Sequence, residues 1–401
     1  MSAATYRRPV VIIGAGLTGL VTAVSMQRAG LTPLIFEKKP HLPHAKTGVA
    51  LWGNGMRVLD RLGVGTKLRT CGLATLSSEI VNSTDGRVLF NFNFSEESSG
   101  HVNEIIVAEL NELKQLLLEE LPSESVLFNK ELDSFTQHGD YVDVHLADGS
   151  SAEGAILIGA DGLYSRVRSR LKLQMSHRYA GYSTWRGVTN MTNLSKEFPL
   201  QLGREIWGKG RRFGAMHIRT GTLYWYAVAN ARNGEVFLRP FKKTLLNKFG
   251  DWDFRCREII DATDERNITR HDVQERLQPV PWVENRVVLM GEAAHPITEN
   301  MHLSTCLAVE DGHCLAQMLA EYGVRDPLGL EMYERTRKPR CLAVAQRSRR
   351  IERIAQLEHP LARWLPERVL GRRRLATALR RILRIIPDYT AGDLPGPILR
   401  S

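Results

Sequence analysis

Glu292, His295, Glu299 and His302 lie within one stretch of eleven residues. Histidine titrates near neutral pH, and partial burial can raise the pKa of a carboxylate toward neutrality. These side chains are therefore the usual proton-transfer groups. The sequence that follows reads as a helix, which would place the four side chains at its amino-terminal end. This stretch is therefore a candidate acid–base site, with the catalytic candidates Glu299, His302 and His295.

A glycine-rich turn directly follows the apolar run at 10–13, which reads as a buried strand. Gly14 permits a tight turn, Gly16 lets the backbone approach a pyrophosphate, and Gly19 allows close packing of helix on strand. Glu37 ends the next predicted strand, 18 residues past Gly19, where it can accept a hydrogen bond from a ribose hydroxyl. Because a carboxylate repels a 2′-phosphate, the turn predicts FAD or NAD rather than NADP.

The elements around these motifs alternate between strands and helices. Residues 20–29 read as a helix that ends at Gly30, and 157–168 repeat the order strand, tight turn, helix. Residues 76–100 and 182–240 alternate apolar and polar side chains in short runs, which indicates antiparallel strands. An α/β protein with two interleaved sheet regions follows from this order.

Three motifs resemble one known family. Matches to its second flavin motif are Gly291, Ala293, Ala294, His295, Pro296, Glu310 and Asp311, and the segment 157–168 is similar to its middle motif. The segment 48–55 resembles the part that follows the first βαβ unit. Over residues 8–340 the chain thus resembles the single-component (group A, aromatic-hydroxylase-like) FAD-dependent monooxygenases.

The resemblance implies a Rossmann-like FAD-binding domain, an interleaved antiparallel β-sheet substrate domain and a helical C-terminus. The expected partition assigns 1–75, 101–180 and 281–340 to the nucleotide domain, 76–100 and 181–280 to the substrate domain, and 341–401 to basic C-terminal helices. Implied cofactor residues are Gly14, Gly16, Gly19, Glu37, Asp161, Gly162, Gly291 and Glu292. NAD(P)H is the expected transient electron donor, since the chain has no second dinucleotide motif, and no metal is expected.

The middle of the second flavin motif departs from the family pattern. His302 and Ser304 stand at its two glycines, Cys306 at its asparagine and Glu299 at its second proline. A flavin-contacting arginine of the family is replaced by Val107. Side chains at the glycine positions occupy space where a flavin ring needs close approach to the backbone, and a nearby carboxylate opposes an anionic reduced flavin.

Three hypotheses fit this change. FAD binds with a repositioned ring and monooxygenation continues; or FAD binds poorly and the fold performs redox-neutral chemistry with its own acid and base; or the segment is a packed helix start. The first predicts NAD(P)H-driven hydroxylation or epoxidation of a small aromatic or polycyclic, secondary-metabolite-like substrate. The second predicts an isomerase, cyclase or hydratase that uses Glu299 and His302. Beside the oxygenase and the redox-neutral enzyme, a non-catalytic binding protein is a third functional class.

The predicted cavity residues, given by the resemblance, are Trp185, Arg186, Trp225 and Tyr226, of which Arg186 is also a catalytic candidate. Core filling is the competing role for the aromatic strand at 222–228.

The charge and the cysteine content of the chain limit its expected binding partners and its expected location. The net charge of +10 is concentrated after residue 335, without an aromatic-interleaved basic motif, so no nucleic acid is expected. The basic tail is predicted to dock on the main domain, with contact to an anionic membrane surface as the alternative. Five widely spaced cysteines and no long apolar run predict free thiols and a cytoplasmic protein. The oligomeric state stays open.

Overall fold

A computed structural model describes residues 5–7, 9–42, 46–94, 105–171, 177–190, 198–252, 255–276, 280–298 and 302–358. The predictions for Glu299 and for the C-terminal tail beyond 358 lie outside these residues. The strands are β1 (Thr5–Arg7), β2 (Val10–Ile13), β3 (Pro33–Glu37), β4 (Gly48–Trp52), β5 (Leu73–Thr75), β6 (Ser77–Asn82), β7 (Val88–Asn93), β8 (Ile105–Glu109), β9 (Val126–Phe128), β10 (Leu132–Gln137), β11 (Val142–Leu146), β12 (Ser151–Gly154), β13 (Ile156–Gly159), β14 (Arg178–Asn190), β15 (Leu202–Gly208), β16 (Arg211–Arg219), β17 (Thr222–Asn230), β18 (Thr269–Glu275), β19 (Val283–Glu284) and β20 (Val287–Leu289). The α-helices are α1 (Leu17–Arg28), α2 (Gly53–Arg61), α3 (Gly65–Cys71), α4 (Leu110–Glu119), α5 (Arg166–Arg170), α6 (Phe241–Phe249), α7 (Cys256–Ala262), α8 (Ser304–Tyr322) and α9 (Pro327–Ala355).

A six-stranded sheet in the order β19-β20-β13-β2-β3-β9 carries the glycine-rich turn. Its four inner strands and β9 pair in parallel, and β2, β3, β13 and β20 are buried along their whole length. Parallel strands covered on both faces read as continuous β-branched and apolar runs, as these do. Because their carboxyl ends share one edge, the turns after β2, β3 and β13 open on the same cleft.

A seven-stranded sheet in the order β18-β14-β17-β16-β15-β6-β7 forms the second layer. Its pairs are antiparallel except for β15 with β6. Successive side chains of a strand point to opposite faces. On one face, residues of β14, β16 and β17 form a separate apolar cluster with α6 and α7. Residues of the other face belong to the main apolar core, which they share with the six-stranded sheet.

Two smaller sheets complete the fold, in the orders β4-β8-β5 and β1-β12-β11-β10. Helix α8 packs against both α1 and α9, so the segment that begins with Gly291 is held between the two layers. Within the described residues, no helix is long and apolar enough to cross a membrane.

Candidate functional site

The three glycines of the first turn have distinct surroundings. Gly14 has φ +103°, and a Cβ added there would lie 2.7 Å from the Ala160 carbonyl oxygen. A Cβ on Gly19 would lie 1.9 Å from the Gly14 carbonyl oxygen. At Gly16, by contrast, an added Cβ would meet nothing within 4 Å. The first and third glycines are therefore required by the fold itself, whereas the second leaves open space at the amino terminus of α1, where an anion is favoured.

Glu37 lies in the wall of a cleft of about 270 Å³ together with Gly14 and Gly16. Its two carboxylate oxygens accept hydrogen bonds from the backbone N–H groups of Ala15, at 2.8 Å, and Lys39, at 3.0 Å. These bonds fix the carboxylate beside the glycine-rich turn. Each oxygen has a second lone pair for a ligand hydroxyl.

Asp161 forms the opposite wall of the same cleft. Its Oδ2 accepts from the N–H groups of Arg166, at 2.7 Å, and Val167, at 3.1 Å, whereas its buried Oδ1 has no partner among the described residues. A buried acceptor without a donor is costly, and a ligand hydroxyl would relieve that cost. Gly162, with φ +79°, leaves the adjacent backbone uncovered. These residues fit a dinucleotide such as FAD.

The turn after β20 begins the second motif. Gly291 has φ +56°, and a Cβ there would lie 2.4 Å from Thr18 Oγ1, so glycine is required for packing on α1. The Glu292 side chain is reached by solvent although protein surrounds it on its other sides, as expected for the wall of a cleft. Burial raises the pKa of Glu292, while Arg186 and His295 oppose the rise.

His295 lies in a buried ionic network. Its Nε2 is 2.6 Å from Asp311 Oδ2, and Arg337 Nε donates to Asp311 Oδ1 at 2.8 Å. Burial opposes protonation of His295, but Cys341 and Asp311 raise its pKa well above the usual value. His295, Asp311 and Cys341 could offer three metal ligands, yet the Arg337 guanidinium on the same carboxylate opposes a cation. The contacts of His295 are those of a residue that fixes the turn on α8.

His302 has φ +51°, in the left-handed region that a glycine adopts without cost. It stands where the family pattern has glycine, so the backbone shape is retained although the residue has changed. Its ring contacts Tyr226 at a centroid distance of 4.9 Å. Burial, with smaller contributions from Arg186 and Arg212, lowers the pKa of His302 to about 3. The imidazole is therefore neutral near pH 7 and can donate one hydrogen bond and accept another.

Tyr226 and His302 line two cavities. The larger, of about 110 Å³, is mostly apolar and is here called the aromatic cavity; its walls include Trp52, Ile80, Phe90, Phe92, Phe94, Ile105, Met216 and Ile351. The smaller, of about 20 Å³, is here called the polar pocket; its other walls are Tyr182, Thr184, Arg186, Arg212, Tyr224, Val228 and Val273. The structure thus brings together His302 and Arg186, two of the predicted catalytic candidates.

The prediction that Trp185 and Trp225 line the cavity was wrong. Trp185 and Trp225 are fully buried on the outer face of the seven-stranded sheet, where Trp225 stacks on Phe213. Arg186 and Tyr226, their neighbours in sequence, line the polar pocket because side chains alternate between the two faces of a strand. The phenylalanines of the aromatic cavity were missed, although their spacing of two along β7 and beyond was a signal for one shared face.

Two further substitutions, Cys306 and Val107, are core contacts. Cys306, in the first turn of α8, accepts a hydrogen bond from the Trp52 N–H at 3.4 Å, and a Cβ on Gly55 would lie 3.0 Å from its sulfur. Val107 is fully buried in β8, opposite Ala50.

A mainly parallel sheet that carries a dinucleotide cleft, together with a mainly antiparallel sheet that contributes to an apolar cavity, is typical of flavoprotein oxygenases. The family model described as FAD binding domain matches residues 7–348, and the chain belongs to this family of FAD-dependent monooxygenases. It is an enzyme, and its cofactor is FAD.

Relatives of known activity span nearly the whole chain. The aurachin C monooxygenase/isomerase of Stigmatella aurantiaca is 33% identical over 381 residues, which cover 94% of this chain and 98% of that protein. The 2-heptyl-3-hydroxy-4(1H)-quinolone synthase of Pseudomonas aeruginosa strain UCBPP-PA14 is 27% identical over 361 residues, 89% of this chain and 92% of that one. A solved structure of Klebsiella pneumoniae HpxO with FAD and uric acid has the same fold, with a TM-score of 0.83, 23% identity and coverage of 95% and 97%.

Proposed function

We propose that the protein uses NAD(P)H and O₂ to place one oxygen atom on a small aromatic substrate that carries an apolar substituent and an oxygen substituent on its ring. The observation that supports this most directly is the pair of adjacent cavities, which share Tyr226 and His302 as lining residues. One atom of O₂ enters the substrate and the other leaves as water, with the hydride of NAD(P)H and one proton consumed. Bound FAD would accept that hydride and activate O₂.

The sizes of the cavities support this substrate class. An apolar cavity of about 150 Å³ can hold benzene, so about 110 Å³ is space for a hydrocarbon group rather than a whole ring system. The polar pocket has space for about one water-sized group. Arg186 there suits an oxygen with negative charge, and the neutral His302 can donate to it, whereas Arg212 is paired with Glu205 at 3.1 Å. The name of the quinolone synthase describes a product with both a heptyl chain and oxygen substituents on its ring.

Two buried arginines support the choice of electron donor. Arg168 and Arg276 both contact His177, at 3.0 Å and 3.3 Å, beside the exposed ring of Tyr164. Burial, Arg276 and Arg168 together lower the pKa of His177 to about 4, so the histidine adds no third charge near pH 7. Tyr164 lines the dinucleotide cleft, so the positive charge of these two arginines would favour a phosphate of NAD(P)H bound close by.

A second candidate function is a redox-neutral isomerisation in the same site. The neutral His302 beside Arg186 favours it, because the two side chains can donate hydrogen bonds to an oxyanion that forms during a proton shift. The name of the Stigmatella relative joins both activities in one protein.

Purified protein distinguishes the two functions. With 2-heptyl-4(1H)-quinolone as the probe, oxygenation requires a yellow protein, NAD(P)H oxidation and a product heavier by one oxygen atom. The unsubstituted 4(1H)-quinolone is the matched control, and it should bind more weakly because the aromatic cavity stays empty. Conversion without a change in mass, by a colourless protein that does not take up FAD, would refute oxygenation and support the isomerase.

A further inference from the structure

A lysine from outside both nucleotide motifs reaches the dinucleotide cleft. Lys114 lies in the middle of α4, and its side chain is only 6% exposed, yet it lines the cleft with Gly14, Gly16 and Glu37. Neither the glycine-rich turn nor the motif at Asp161 includes this residue. Its position therefore follows from the packing of α4 against α1, α3 and β8.

Burial distinguishes Lys114 from the other cations of the cleft. Lys38, Lys39 and Arg166 are exposed, where water and salt screen a charge, and Lys130 is partly buried. A buried ammonium group interacts with a bound phosphate more strongly, because less water screens the pair.

The Lys114 charge also fits the local electrostatics. Burial is the main cause that lowers the pKa of Lys114, Lys39 adds to it, and Glu37 opposes both. Glu37 already accepts two backbone hydrogen bonds, so its charge is shared between the turn and its neighbours. A pyrophosphate beside Gly16 would favour the charged form of the lysine.

The cleft wall therefore contains a buried lysine beside the glycine-rich turn, supplied by α4. We propose that Lys114 binds the FAD pyrophosphate. This inference depends on FAD binding and thus on the proposed function.

The test is FAD binding by the full chain stripped of flavin, followed by flavin fluorescence. Lys114→Gln should weaken FAD binding about 10- to 100-fold, equivalent to about 1.4 to 2.8 kcal/mol. Lys114→Arg should retain most of the affinity. Lys67→Gln is the matched control, because Lys67 is a surface lysine paired with Glu120 at 2.7 Å.

A second measurement separates a phosphate contact from a folding defect. The ³¹P resonances of bound FAD should differ between wild type and Lys114→Gln, and should be the same in wild type and Lys67→Gln. Unchanged FAD affinity and unchanged ³¹P shifts in Lys114→Gln would overturn the inference alone. A wild-type chain that takes up no FAD would overturn both the inference and the proposed oxygenase.

Discussion

Replacing His302 by glycine and by alanine should separate its backbone role from its side-chain role. Both variants remove the ring and its contact with Tyr226, which is worth roughly 0.5–1.5 kcal/mol. They differ only in the backbone at φ +51°. A residue with a Cβ costs about 1–2 kcal/mol in the left-handed region, whereas glycine costs about 0.5–1 kcal/mol in chain entropy. His302→Gly should therefore be more stable than His302→Ala by about 0.5–1 kcal/mol, the reverse of the usual order of these residues.

Urea unfolding of the flavin-free proteins measures this difference, provided that the free energy of unfolding depends on urea concentration with the same slope in both variants. Turnover gives the second part of the prediction. Both variants should lose about 10- to 100-fold in kcat/KM, the size expected for one hydrogen-bonding group, while FAD content stays that of the wild type. Since the pKa of His302 is about 3, the wild-type profile should show no step near pH 6.5 that disappears in the variants. An alanine variant as stable as the glycine variant refutes the backbone argument, and wild-type turnover in both refutes the role of the ring.

Three further predictions concern the cofactor cleft and its supports. Gly16→Ala should weaken FAD binding at least about 10-fold with little loss of stability, because the added methyl group meets only the ligand, whereas Gly19→Ala should lose about 1–3 kcal/mol of stability in urea unfolding. The pKa of His177 is lowered to about 4, so as pH falls the unfolded chain binds a proton at this histidine before the folded chain does. The wild type should therefore lose stability between about pH 6.5 and pH 4. In melting experiments over that pH range, His177→Gln should lose less stability than the wild type. Arg337→Met should destabilise the protein by about 3–5 kcal/mol, because it leaves Glu310 and Asp311 buried without that partner, and a melting temperature equal to the wild type would contradict this.

The sequence predicted the nucleotide half of the protein well because its constraints are local. A turn between a strand and a helix needs glycine at Gly14 and Gly19 whatever else the chain does, and the structure shows both close approaches. The two classes of sheet also follow from local patterns, since a strand buried on both faces and one buried on one face have different periodicities. The roles assigned to single site residues stay predictions.

The substrate side could not be predicted in the same way. Whether Trp185 or Arg186 faces a cavity depends on the register of β14 against β17 and on where α6 and α7 lie. A one-residue change of register would exchange the two faces. The joining of His302 with Arg186 depends on contacts between residues more than a hundred positions apart, which no local pattern records.

By itself, the sequence determined that this chain forms a dinucleotide cleft and that the loop before α8 departs from its family. Only the tertiary structure decided that His302 retains a glycine-like backbone and joins an apolar cavity to a polar pocket. It also decided that Lys114 reaches the cleft from α4. The physical reason is that backbone turns are set by neighbouring residues, whereas burial, and the charge state that depends on it, is set by the packing of distant elements.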